Sequence, residues 1–316
     1  MANTESADDA ARPVIRPLTE ADLAGCLALS RSANWNQNEA DWRLMLEAGH
    51  GWGIDVVPDG PDGKAAVGDA TPVLAASAVV IPYGSQPGSA TSAAAAGCAW
   101  ISMVLVLPQF RRRGLATRVL REALAFLRDR HLVPVLDATP AGYPVYIQEG
   151  FAPAWGFRRY RREAVSLDPD AAEAPRTRRI DDRDWPAILA FDAPVFGADR
   201  GRMLKALSRR MPVAARVAEE DGRVTGFILG RDGLEACQLG PLVARDAHTA
   251  QLLMDDVLDA LAGPVQVDLA DRHLVLLEGL VARGFLLQRP FTRMALGAAV
   301  PGDPAQVVLV AGPELG

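Results

Sequence analysis

Val104-Leu105-Val106-Leu107-Pro108-Gln109-Phe110-Arg111-Arg112-Arg113-Gly114-Leu115-Ala116 is the segment whose residue types and spacing point most directly to chemistry. An uncharged, β-branched run predicts a buried strand. It passes through a basic turn straight into an amphipathic helix over 114–130, with Leu115, Val119, Leu120, Leu124 and Leu127 at helical spacing. This combination is an anion site. The first N–H groups of a helix have no partners within it and carry the positive end of its dipole. Gly114 and Ala116 have almost no side chain, so a phosphate can approach the backbone closely, and three arginines add charge. A pyrophosphate is the natural guest. Neither the GxxxxGK(S/T) of a Walker loop nor the GxGxxG of a Rossmann turn is present.

Positioning such a turn needs a sheet and helices around it. Val14 to Leu18 reads as a short strand, and Thr19 followed by Asp22 opens a helical stretch. Asn34-Trp35-Asn36-Gln37 interrupts that stretch before a second helix over 39–48. Strands are expected over 52–57, 73–82 and 99–106, with turn chemistry over 58–63. After the helix over 114–130 come a strand over 133–136, a short helix over 143–149 and a strand over 151–163. No charge occurs between Asp69 and Arg111, but Pro82, Gly84, Pro87 and Gly88 break the stretch. Two strands joined by a small-residue loop fit it better than a membrane span.

The second half repeats the first in outline. A strand over 177–180 is followed by helices from 184 and over 203–210, then by strands over 213–219, 224–230 and 234–239. A helix over 247–262, a strand over 265–269, a helix over 274–283 and a strand over 285–296 complete it. A chance duplicate of so many elements in order is improbable, so this is an internal repeat. The expected organisation is a tail over 1–12, a first domain over 13–165 and a linker over 166–176. A second domain over 177–297 and a C-terminal tail over 298–316 follow. The length of 316 residues agrees with two domains at roughly 150 residues each.

Two motifs, in this order, carry a resemblance. Arg111-Arg112-Arg113-Gly114-Leu115-Ala116 fits the (R/Q)-x-x-G-x-(G/A) pyrophosphate loop of the GCN5-related N-acetyltransferase (GNAT) family. Val145-Tyr146-Ile147-Gln148-Glu149-Gly150-Phe151 resembles the Y-x-x-x-G-F signature that closes that family's domain. The resemblance covers 13–163, and the second half looks like a diverged copy. It implies an α+β (mixed α/β) fold class: two tandem acyl-CoA N-acyltransferase folds, each a mixed, mostly antiparallel twisted sheet flanked by helices. It implies acetyl-CoA as co-substrate. The reaction would be acetyl transfer to a primary amine of a small molecule or peptide, by direct attack in a ternary complex.

The same resemblance distributes roles. Arg111, Arg112, Arg113, Gly114, Leu115 and Ala116 would hold the pyrophosphate. Val104, Leu105 and Val106 would pair with the pantetheine arm as an added strand does. Tyr146, with Tyr143 as a nearby alternative, would supply a proton to the leaving thiolate. Trp35, Asn36 and Gln37 fall where the fold places its acceptor-binding elements. The base stays open: the strand over 100–106 contains no carboxylate, which leaves Asp137, Glu39, Asp41 or a water oriented by Ser102. The second copy reads Arg245-Asp246-Ala247-His248-Thr249-Ala250, with His248 where Gly114 stands, and has Leu280 where Tyr146 stands. One active site, in the first domain, is therefore expected. Two other readings remain, a non-catalytic acyl-CoA-binding or regulatory protein and an acyltransferase using another acyl-CoA.

Composition sets outer bounds. A net charge of −6 and the absence of aromatic–basic interleaving argue against nucleic acid as a partner. Three scattered cysteines without a CxxC pair, and histidines without metal spacing, support neither a disulfide framework nor a metal site. The first residues lack the basic and apolar pattern of a signal peptide. A cytoplasmic protein with a small-molecule amine partner is expected, with a homodimer as its candidate assembly and no membrane association.

Overall fold

In the computed structural model the described residues are 13–58, 71–84, 97–167 and 175–316. The tail over 1–12, most of the turn over 58–63 and the small-residue loop, and the middle of the linker lie outside them. The first repeat runs β1 (Ile15–Pro17), α1 (Leu23–Ser32), α2 (Glu39–Ala48), β2 (His50–Val56), β3 (Val73–Tyr83), β4 (Cys98–Val106), α3 (Leu115–Asp129), β5 (Val133–Ala138), α4 (Tyr143–Gln148) and β6 (Ala152–Arg162). The second runs β7 (Arg178–Arg179), α5 (Trp185–Phe196), α6 (Gly201–Arg210), β8 (Arg216–Glu220), β9 (Arg223–Arg231), β10 (Cys237–Ala244), α7 (Ala247–Leu258), β11 (Val265–Ala270), α8 (Leu277–Ala282), β12 (Leu286–Ala295) and β13 (Val307–Leu309). No described helix is long and apolar enough to cross a membrane.

Local chemistry accounts for these elements. Asn38 caps α2 by accepting from the Asp41 amide, and Asp41 returns the bond to the Asn38 amide. α3 buries Leu115, Val119, Leu120, Ala123 and Leu127, a single stripe at helical spacing. β3 and β4 are buried along almost their whole length, which explains their uncharged, unalternating composition.

The two repeats are not two separate sheets. All strands of the described residues join one sheet in the order β1-β2-β3-β4-β5-β12-β6-β11-β13-β10-β9-β8-β7. One strand of each repeat, β6 of the first and β12 of the second, has crossed over. β12 pairs with β5 of the first repeat, and β6 pairs with β11 of the second, while β6 and β12 pair with each other. The boundaries over 13–165 and 177–297 therefore mark repeats in sequence, not units in space. A buried ion pair sits at each crossing. Arg293 of β12 lies opposite Asp137 of β5 and donates to both its oxygens at 2.9 Å. Arg159 of β6 lies opposite Asp268 of β11 and donates to both its oxygens, at 2.8 and 2.7 Å. A register slip by one residue would turn each charge to the wrong face. Asp268→Asn leaves Arg159 buried without its counter-charge and is expected to cost about 3–5 kcal/mol, read from urea denaturation.

One apolar core follows one face of this sheet across both repeats. It joins Leu29 and Trp42 of α1 and α2 with Ile188 of α5, Leu204 of α6 and strand residues such as Trp100 and Phe227. The opposite face carries α3 over β2–β5 and α7 over β8–β10. The segment over 298–316 is not a tail. Val307, Val308, Leu309, Val310 and Leu315 are all buried, because an apolar run of that length has no stable place in water.

Candidate active site

The site begins where β4 and β5 separate. They pair in parallel only at Cys98–Val133, Ala99–Pro134 and Trp100–Val135. β4 continues to Val106 and β5 to Ala138, so their backbones diverge and leave β4 an unpaired edge. Met103 sits at this divergence with φ +51°, in a bulge where β4 takes one residue more than β3, and its carbonyl accepts from the Ser77 hydroxyl at 2.7 Å. The cleft so formed holds roughly 1680 Å³ of open space. Every sequence-predicted strand and loop position lines it except Arg113. Arg113 turns its guanidinium over the Phe110 ring, 5.4 Å from its centre.

The turn at the cleft mouth is built to present amides. Arg111 Nε donates to the Val106 carbonyl at 3.2 Å and folds the loop back on its strand. Arg112 (φ +63°) and Gly114 (φ +73°) both take the left-handed conformation, the kind of backbone from which anion-binding turns are built. No side chain caps α3, and the Arg118 amide bonds the Gly114 carbonyl at 3.1 Å. A β-carbon built on Gly114 would meet nothing within 4 Å. That is space open to a ligand, and it suits a phosphate on a helix start.

Deeper in, a smaller and tighter pocket opens beside Ile101 to Val104. Tyr146 and Asp137 line both spaces, as does Trp35. The Tyr146 ring packs edge-on against Phe151, and close approach of Gly142 makes room for it. Desolvation pushes its phenol up to about 12, so it stays protonated over the whole working range. Tyr143 lines neither space.

Other expectations fare differently. Gln37 reaches the inner pocket, but Asn36 does not. The Asn36 amide donates to the Ala236 carbonyl at 2.8 Å and accepts from the Glu235 and Ala236 amides at 2.8 and 3.1 Å. It latches the two repeats together, because a buried amide must spend all its hydrogen bonds. Asp137 lines the site, yet both its oxygens are taken by Arg293. Burial nonetheless holds its carboxyl above the usual range. Asp41 is sealed against Arg210 and Arg231, and Glu39 faces Arg43. Ser102 lines the inner pocket and points its hydroxyl at Met45 Sδ, 3.9 Å away.

Comparison with known proteins shows the family and the fold. A model described as the Acetyltransferase (GNAT) family matches residues 32–146, and one described as an Acetyltransferase (GNAT) domain matches 188–308. The chain belongs to the GNAT family, as a tandem member. A curated relative, the Uncharacterized N-acetyltransferase YitH of Bacillus subtilis, is 24% identical over 192 residues. That match takes in 58% of this chain and 65% of the relative's length. Among solved structures, a putative acetyltransferase from Pyrococcus horikoshii has TM-score 0.72 at 20% identity, covering 96% of this chain and 95% of its own. A tandem GNAT protein from the clavulanic acid biosynthesis pathway has TM-score 0.56 at 12% identity, covering 90% of this chain and 98% of its own. At such identities the likeness is one of fold.

The second GNAT repeat has the same parting of strands, but its own chain fills it. β10 and β11 pair in parallel at Cys237–Val265, Gln238–Gln266 and Leu239–Val267. Beyond that, β13 lies between them, with Leu309 opposite both Leu242 and Leu269. A strand thus occupies the place where the first repeat keeps its open edge. The loop also departs: Asp246 caps α7 by accepting from the Thr249 amide at 2.8 Å, and Arg245 pairs with Glu220 and Asp246. Leu280 is buried in the core.

From β13 the chain runs on into the first GNAT repeat. The Trp100 indole donates to the Pro313 carbonyl at 3.1 Å, and the Tyr83 hydroxyl to the Leu315 carbonyl at 2.8 Å. Pro313 and Glu314 thereby wall the inner pocket, together with Arg159, Arg289 and Phe291 from the exchanged strands. Glu314 is 2% exposed and pairs with Arg231 through one oxygen, while Oε2 bonds nothing. Sequence reasoning missed all of these. The apolar run over 307–311 was the available signal for a strand there, but nothing local says which cleft it enters.

Proposed function

We propose that the chain transfers the acetyl group of acetyl-CoA to a primary amine, in the first-repeat cleft. The observation that carries this reading is the coincidence of three features at one cleft. They are an unpaired β4 edge, an uncapped helix start with open space at Gly114, and a protonated tyrosine beside an inner pocket.

The amides of the loop and the start of α3 hold the pyrophosphate. The free backbone groups of Val104 to Val106 take the pantetheine arm as an added strand, which sets the thioester at the bulge. A backbone N–H there stabilises the oxygen as negative charge grows on it. Acetyl-CoA supplies the activated acyl group: the amine nitrogen bonds the acyl carbon and gives up its second proton, the C–S bond breaks, and CoA departs as the thiol with that proton on its sulfur. Tyr146 donates to the departing sulfur. A free thiol has a pKa of ~8.5, well below that of the buried phenol, so Tyr146 works as a hydrogen-bond donor to the developing thiolate. The amine enters as its ammonium and must lose a proton. Glu314 is the carboxylate in the inner pocket that keeps an unbonded oxygen, and it takes that proton.

Thermal unfolding with acetyl-CoA, followed by an amine screen for CoA release, tests the reading. Tyr146→Phe is expected to lower turnover by ~10²-fold or more with acetyl-CoA binding unchanged. Unaltered turnover would remove Tyr146 from the reaction. Glu314→Gln is expected to lose ~10²-fold or more near neutrality and to recover toward high pH, where the amine deprotonates unaided. A loss independent of pH would remove Glu314 as the base.

A further inference from the structure

Arg289 stands on β12, at the seam between the cofactor cleft and the inner pocket, and lines both. It owes that position to strand exchange and to a bulge. Leu287 lies opposite Tyr160 and Arg289 opposite Arg159, so Gln288 is left over between them. Its neighbours on the sheet are neutralised. Arg159 is matched by Asp268, and Arg293 by Asp137. Arg289 has no such match: among the described residues its guanidinium makes no ion pair or hydrogen bond, only a contact with the Phe291 ring at 5.4 Å. Burial, and then the nearby Arg159, lower its pKa against the weaker opposing pull of Asp268 and Glu314, neither of which bonds it, so its charge is held there at a cost. A half-buried guanidinium facing a pocket, with its fork unused, is matched by a planar carboxylate.

The same pocket holds two orphaned acceptors. Gln37 Oε1 and Glu314 Oε2 are buried without partners. Both residues line the space that Arg289 lines. Oxygens of that kind call for N–H donors, and an ammonium carries three of them. One pocket thus presents an unmatched cation and unmatched acceptors to whatever enters.

We propose that the acceptor amine is an amino acid or a close amino-carboxylate, with its carboxylate on Arg289 and its amine at Gln37 and Glu314. This rests on the acetyl-transfer reading and deepens it. Arg289 acts as a specificity residue: it fixes which end of the acceptor meets the thioester, and it rejects amines that leave the guanidinium unpaired.

The test compares a panel of free amino acids with the amines that lack only their carboxylate. CoA release is followed at saturating acetyl-CoA. Thermal stabilisation by the same compounds, without acetyl-CoA, reads the pocket alone. The expected result is kcat/KM ~10²-fold or more higher for the amino acids, with that preference lost in Arg289→Gln and partly kept in Arg289→Lys. Stabilisation by acetyl-CoA stays unchanged in Arg289→Gln. Equal use of both members of each pair overturns the proposal. So does loss of acetyl-CoA stabilisation in Arg289→Gln, which would assign the guanidinium to the cofactor. An Arg289-dependent preference for succinyl-CoA over acetyl-CoA would place the carboxylate on the acyl chain and overturn it too. A wild type that binds acetyl-CoA but neither binds nor acetylates any amino-carboxylate sinks this proposal alone. Arg289-dependent binding of amino acids by a protein that ignores acetyl-CoA would sink the transfer reading instead.

Discussion

Gly114→Asp is expected to abolish acetyl-CoA binding while leaving the fold in place. The two halves of that statement have separate grounds. Gly114 takes φ +73°, and a side chain there meets nothing within 4 Å, so no packing is disturbed. The cost to the fold is the left-handed conformation, about 1–2 kcal/mol for a residue with a β-carbon. The cost to the ligand is far larger. A carboxylate would stand in the open space beside the uncapped start of α3, where the proposed pyrophosphate charge must come, and would itself bond the amides there. Differential scanning fluorimetry separates the effects. A ligand at ~100 times its Kd adds about 2.7 kcal/mol to the stability of what binds it. The wild type should show that stabilisation with acetyl-CoA and the variant none, with the unliganded variant close to wild type. A variant still stabilised by acetyl-CoA would remove the pyrophosphate from this loop.

Removing residues 307–316 is expected to destroy cooperative folding, although the change touches only the last ten residues of the sequence. Val307, Val308, Leu309, Val310 and Leu315 are fully or almost fully buried. At about 1.5–3 kcal/mol for each buried aliphatic side chain, their loss rivals the ~5–15 kcal/mol net stability of a whole protein. The deletion would also reopen the ladder between β10 and β11 and strip Arg231 of Glu314 and of the Ala311 carbonyl. Urea denaturation followed by circular dichroism reads this directly. The milder Leu309→Ala should still fold and lose about 2–5 kcal/mol. A truncated chain with the wild-type transition would mean that this segment adds nothing to the core it occupies.

The two predictions differ in how far the sequence alone leads to them. The turn proposed for the phosphate is local. Strand, basic turn, Gly114 and helix follow one another within one short run, and the backbone geometry that exposes the amides is set by those same residues. Helix α2 is local in the same sense, since Asn38 and Asp41 cap it from within. The internal repeat is legible because it needs only the order of elements. So is the decay of the second copy, from His248 and Leu280 standing where Gly114 and Tyr146 stand in the first.

The rest is decided by partners far apart in the chain. Hydrophobic periodicity states that 286–295 is a strand, but not which of two similar sheets receives it. The choice is made by cross-strand matches, Arg293 with Asp137 and Arg159 with Asp268, which pay off only once both repeats are folded against each other. Asn36 looks like an acceptor-binding amide until its bonds to the loop at 235–236 are seen. The segment over 298–316 looks like a tail until the second cleft exists to receive β13. Arg289 and Glu314 enter the first-repeat pocket only through those two events. The sequence by itself determined the fold class, the repeat and the strand–turn–helix proposed for the cofactor, because short-range spacing suffices for each. Tertiary structure decided the acceptor side of the site, because burial and charge matching between distant strands are properties of the assembled sheet.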